Sequence, residues 1–232
     1  MDTPIIHHLE PTPAITGYDR SLNRSGQPAS VPRLFIDAME VREAVFVREQ
    51  GVAAENELDD DDARSCHWVV YANNTSTSTS TGEATMPLEP IGTLRLVPFP
   101  HPPHPVPGGV YFDGRLVGRK DAAGNDVEEE KEVEQEAADA EQGVAGLLVR
   151  AALRWMREHP AYFDLSVEAV GGGSDVTPPK WDGLVCCHAQ EQVRHVWARF
   201  GFEVDEGMGR WWEEGMPHVG MFCRLKPEPL DP

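Results

Sequence analysis

The stretch Gln142-Gly143-Val144-Ala145-Gly146-Leu147 runs small residues into the start of a helix, and this 232-residue chain is organised around it. The first turn of a helix leaves backbone N–H groups without internal acceptors, and the helix dipole adds partial positive charge there. Gly143, Ala145 and Gly146 leave that backbone open to close approach, so the stretch suits an anion, a diphosphate in particular. It also reads as a plain tight loop. No Gly-Lys-Ser/Thr follows and Gly-x-Gly-x-x-Gly is absent, so it is neither a P-loop nor the dinucleotide fingerprint.

Other groups with chemical potential are scattered. Glu55-Asn56-Glu57-Leu58-Asp59-Asp60-Asp61-Asp62 reads as a solvated acidic loop, or as a site for an amine or other cation. It lacks the central Gly and final Glu of a calcium loop. His101 and His104 lie in a proline-rich segment and read as loop residues; no metal is expected. Four cysteines make no disulfide framework, and the adjacent pair Cys186-Cys187 cannot easily bridge to itself, so the thiols read as reduced.

Positioning falls first to a helix with Val144, Leu147, Leu148, Ala151, Ala152 and Trp155 on one apolar stripe. Arg150, Arg154 and Arg157 lie opposite, and Pro160 stops the helix near His159. An earlier helix starts near Pro32, carries Leu34, Ala38, Val41 and Val45 with Phe46 beside them, and closes at Gly51. A third carries Val193, Val196, Trp197 and Phe200 and stops at Gly201. Strands are expected at residues 66–72, 91–97, 111–117, 165–170, 184–188 and 219–225, with another beginning at Phe202 and an edge strand around Ile5. This order implies an α/β (mixed α+β) fold with a mixed, mostly antiparallel sheet and helices on both faces. Residues 1–232 read as a single domain, with loop or disordered insertions at 73–90, 118–141 and 171–182.

Thirty-nine acidic against 20 basic residues give a net charge of −19, which argues against nucleic acid and anionic membranes as partners and is compatible with an amine. A 40% hydrophobic share supports a core, and 20 prolines and 21 glycines imply long loops. No apolar run reaches the roughly 18 residues of a membrane span. The first residues lack the basic and apolar regions of a secretory signal, so a cytoplasmic protein, or a nuclear one, is expected.

Several places then line up with one superfamily. Gly114-Arg115-Leu116-Val117, followed by Gln142-Gly143-Val144-Ala145 opening a helix, resembles the strand and pyrophosphate loop of the GNAT acyl-CoA N-acyltransferases. His188-Ala189-Gln190 with Val196-Trp197-Ala198-Arg199-Phe200-Gly201-Phe202 resembles their later strand–helix unit. The run from Val41 to Gln50, Glu57-Leu58-Asp59, and Glu214-Gly215-Met216-Pro217-His218-Val219-Gly220-Met221 are similar to the ElaA-type subgroup. The resemblance covers most of residues 33–225.

The resemblance implies the GNAT fold, with parallel strands at 114–117 and 184–188 that splay apart, and acetyl-CoA as cosubstrate. Gln142, Gly143, Val144, Ala145, Gly146 and Leu147 would hold the diphosphate, Leu116 and Val117 would flank the pantetheine arm, and Arg199 would lie near the cofactor. The implied reaction is attack of a primary amine on the thioester. A protonated amine is no nucleophile, so a base must take its proton, and a backbone N–H of the 114–117 strand would stabilise the oxyanion. His188, Glu49 and His218 are the candidate bases; Arg42, Phe46 and Glu214 are expected at the acceptor pocket. No covalent enzyme intermediate is needed, so Cys187 is not expected to be a nucleophile.

Two departures stand out. Ala140 replaces the family's usual Arg or Gln, and Trp197 replaces the tyrosine proposed to protonate the thiolate. Releasing a thiolate of pKa about 8.5 at pH 7 costs only about 2 kcal/mol, and Trp197 also fits an apolar core stripe. The acceptor would be a small amine or a protein lysine, and the family's habit implies a homodimer. A non-catalytic GNAT-fold binding protein with a degraded cofactor site is the alternative, and an acidic protein whose insertion recruits a basic partner is a third reading.

Overall fold

The computed structural model describes residues 4–72, 88–120, 143–164 and 180–226. Gln142, Ala140, most of the acidic insertion and the strand expected at 165–170 lie outside the described residues. The chain is a mixed α/β protein with two compact units, Met1–Pro98 with Gly143–Ala152, and Phe99–Gln142 with Leu153–Pro232.

In the first unit, β1 (Ile5–Leu9), β2 (Cys66–Ala72) and β3 (Glu89–Leu96) form an antiparallel sheet in the order β1-β2-β3. The near-continuous apolar run of β2 is buried from Cys66 to Tyr71, as suits a central strand. Helix α1 (Arg33–Arg42) follows Pro32 and continues as a wider π-helical segment, Glu43–Glu49; Gly51 then turns the chain at φ +75. The buried face of α1 is Phe35, Ile36, Ala38 and Met39, which corrects the expected stripe: Leu34, Val41 and Val45 are only half-buried. The reason is that α1 is covered from two sides. Phe35, Ile36 and Met39 pack with Ile15 and Val31, while Ala38 packs with Val69 and Tyr71 of β2.

Helix α2 (Val144–Glu158) begins in this unit. A Cβ placed on Gly92 of β3 would stand 2.3 Å from Val144 Cγ1 and 3.2 Å from Leu148 Cδ1, so the missing side chain is what lets the first turns of α2 seat on the strand. Leu148, Val149, Ala152, Leu153 and Met156 are buried, a face rotated by about one residue from the expected stripe.

In the second unit, β4 (Gly109–Phe112), β5 (Arg115–Arg119), β6 (Leu184–Gln190), β8 (Arg210–Glu213) and β9 (Met216–Arg224) run in the order β5-β4-β8-β9-β6, and β7 (Glu203–Val204) pairs with β9. Among the described residues, all pairs of this sheet are antiparallel except β4 with β8. Residues 111–117 are not one strand, as expected from sequence, but a hairpin. Asp113 and Gly114 take φ 50 and 65, the left-handed pair of a two-residue turn that matches strand twist. The segment 114–117 and β6 consequently occupy opposite edges of this sheet, so they do not flank a common gap in it. Helix α3 (Arg194–Ala198) is shorter than expected, because a 3-10 turn, Glu191–Val193, precedes it and Gly201 ends the segment at φ +85. Trp197 meets Phe202 edge-on at 5.3 Å, consistent with a packing role.

Candidate active site

The register of the second sheet assembles the site. Directly opposed residues of an antiparallel pair share a face. Cys186 opposes Phe222, His188 opposes Gly220 and Gln190 opposes His218; across the next pair Trp211 opposes His218 and Glu213 opposes Met216. Cys186, His188, His218, Trp211 and Glu213 therefore lie on one face, while Val185, Cys187 and Ala189 turn to the other.

Glu213 is the centre of this group. Its Oε1 accepts a 2.7 Å hydrogen bond from Trp211 Nε1 and lies 3.7 Å from His188 Nδ1, and its Oε2 lies 4.0 Å from His218 Nε2. His218 is buried, and its Nδ1 is 2.9 Å from the Met216 carbonyl, to which it donates. Trp211 is fully buried and meets the His188 ring edge-on at 5.0 Å. From the loop before β4, His104 brings Nδ1 to 3.1 Å from His188 Nε2. Burial pulls the His188 pKa below the ordinary histidine value; Glu213 opposes this and His104 and His218 reinforce it. His104 is lowered in the same sense by burial and by His101. His188 is thus neutral at pH 7 and able to accept a proton.

The structure brings together two sequence-predicted residues, His188 and His218, and adds Glu213 and His104. Glu214 stands in the two-residue turn between β8 and β9, with φ 49 beside Gly215 at φ 82. Its Oε1 accepts from the Asp113 amide at 2.8 Å, tying two hairpin turns together, so the expected acceptor-pocket residue is a turn residue. The signal for Glu213 was present: in Trp211-Trp212-Glu213, the two-residue strand period places Glu213 on the Trp211 face.

Arg42 is also a correction. Its Nε donates to Glu57 Oε1 at 2.6 Å, its Nη1 to Asp62 Oδ1 at 2.6 Å, and its Nη2 to the Glu57 carbonyl, so all three nitrogens are engaged and buried. Asp62 also receives Arg95 Nη1 at 3.0 Å. The acidic loop does bind cations, but they are the chain's own arginines. Glu49 and Phe46 are exposed on the π-helical segment. Leu116 and Val117 are 48% and 63% exposed on the edge strand β5, and Arg199 is exposed after α3. Burial raises the Cys187 thiol far above its usual range, which makes it a poor nucleophile.

The expected diphosphate-holding residues 143–147 lie at the first turn of α2, with Gly146 buried. Gly143 accepts the Leu147 amide at 3.1 Å, and among the described residues no acceptor meets the amides of Val144, Ala145 or Gly146. Ala145 is exposed. A helix first turn of this kind suits an anion. The strand slot expected for the pantetheine arm, between 114–117 and β6, does not form.

No family model and no curated protein matches this chain. Among solved structures, it is similar to a candidate N-acetyltransferase from Lactobacillus plantarum, with 22% identity and a TM-score of 0.47 over 97% of this chain and 100% of that one. It is also similar to an acyl-CoA N-acyltransferase from Pseudomonas aeruginosa, with 15% identity and a TM-score of 0.45 over 95% of this chain and 99% of that one.

Proposed function

We propose that this chain is a GNAT-type N-acyltransferase that moves the acetyl group of acetyl-CoA to a primary amine. The motifs quoted above support this reading. The observation that carries it is a neutral histidine, His188, held between Glu213 and His104 on the more open face of an edge strand. Bound acyl-CoA would supply an activated acyl carbon and a thiolate leaving group.

The chain's own residues do the rest. With Nδ1–H of His188 toward Glu213, its Nε2 accepts from His104 Nδ1, and His104 Nε2 is left as the open imine nitrogen. The pair takes up the ammonium proton as a unit, and Glu213 stabilises the imidazolium that forms. The Trp211 hydrogen bond fixes Glu213 against them. At the first turn of α2, the amides of Val144 and Ala145 would hold the diphosphate, and the close approach of Val144 and Leu148 to Gly92 holds that turn in place.

Thiol release measured over a panel of small amines and lysine peptides tests the reading. Turnover with at least one amine is expected, with kcat falling about 100-fold or more in His188→Ala. Acetyl-CoA binding without thiol release from any amine would establish the non-catalytic alternative instead.

A further inference from the structure

His104, Cys186 and His188 come from a proline-rich loop and from one face of β6, and together they form a ligand set. One ligand atom from each lies within 4.8 Å of the other two. Tetrahedral zinc, with Zn–N of about 2.0–2.1 Å and Zn–S of about 2.3 Å, requires N···N and N···S separations of about 3.3–3.6 Å. His104 Nδ1 and His188 Nε2 are already 3.1 Å apart, so a metal needs only small movements to replace the proton they share.

We propose that His104, Cys186 and His188 form a zinc site, with a fourth position open to water or to His101. Two further observations favour it. His188 turns its other nitrogen, Nδ1, toward Glu213 Oε1 at 3.7 Å, the carboxylate–histidine arrangement that orients an imidazole ligand and raises its basicity. The His101 ring lies 4.9 Å from His104 with its Nδ1 at the Pro102 carbonyl, which leaves Nε2 as an imine nitrogen. A two-nitrogen, one-thiolate set selects zinc over magnesium or calcium. On binding, the Cys186 thiol loses one proton to solvent as the S–Zn bond forms, and the His104 proton moves from Nδ1 to Nε2, so no oxidant or reductant is involved.

Zinc would take the two histidine nitrogens that share the proton in the proposed base pair, so metal binding and base function exclude each other, and the readouts of the site need no turnover. Cobalt is titrated into the metal-free full-length protein while its thiolate-to-cobalt charge-transfer band is followed; zinc then displaces the cobalt. One equivalent is expected to bind, with the band lost in Cys186→Ser and kept in Cys187→Ser, whose side chain points to the other face. His104→Ala, a change in a loop, should weaken zinc by more than the 10- to 100-fold that loss of an outer partner typically costs, and Glu213→Gln by about that amount. The loop variant keeps the test decisive should Cys186→Ser fail to fold. Absence of saturable one-to-one binding, or a band that survives Cys186→Ser, would overturn the proposal.

Discussion

Asp62 and His67 set the acid limit of the first unit. Burial alone would raise the Asp62 carboxyl, but Arg42 and Arg95 outweigh it and hold the group below its ordinary value. Its contribution is complete above the unfolded carboxylate range and is lost as pH falls through the folded value. His67 is buried and neutral, with Nε2 donating to the Asp62 carbonyl at 2.9 Å, and burial lowers its pKa. Its unfolded form takes a proton below about pH 6.5 that the folded form resists, so stability falls there too. Denaturant melts at stepped pH should show stability declining first below about pH 6.5 and again below about pH 4. Arg42→Ala leaves Glu57 buried without its cation and Asp62 with Arg95 alone, and should cost about 3–5 kcal/mol, read as a drop in urea midpoint. At the same scale, the rising limb of kcat/KM with pH should lie below about pH 6.5, since His188 loses its proton earlier than a free histidine. Part of this arrangement is legible in the sequence: residue type and position single out His188 and His218, but sequence spacing does not reveal that Arg42 and Glu57, 15 apart in the chain, meet in the interior.

Elements were read well where periodicity is long. The limits of α2 came out within a residue, because fifteen residues of amphipathic pattern end at a proline. The hairpin of β4 and β5 departs from the single strand expected at 111–117, although Asp113-Gly114 is a strong two-residue turn signal. The turn carries Leu116 and Val117 to the far edge of the sheet. The seat of α2 gives a prediction at this scale. Gly92→Ala puts a methyl against Val144 and Leu148 and should destabilise by about 1–3 kcal/mol, measured by chemical denaturation. It should also weaken acyl-CoA binding through displacement of the first turn, whereas Gly114→Ala, with nothing near its Cβ, should leave that affinity unchanged.

For the whole molecule, charge is the feature composition states most directly. On the proposed function, a net −19 would repel the polyanionic acetyl-CoA at long range, while the amides of one helix turn would attract it at short range. Added salt screens the long-range term over a Debye length of about 10 Å at 0.1 M, so the KM for acetyl-CoA should fall as salt rises from a few millimolar toward that value. A rising KM would mean that exposed cations, rather than backbone amides, hold the cosubstrate.

The most direct measurement is calorimetric binding of acetyl-CoA to the wild-type chain and to Ala145→Glu. A carboxylate in the first turn favours the helix dipole and so preserves α2, yet it places negative charge where the diphosphate would sit. One-to-one binding is expected for the wild type, with at least a tenfold loss in the variant and an unchanged melting temperature. Equal affinity in both proteins, or no binding in either, would rule out a diphosphate held at this turn.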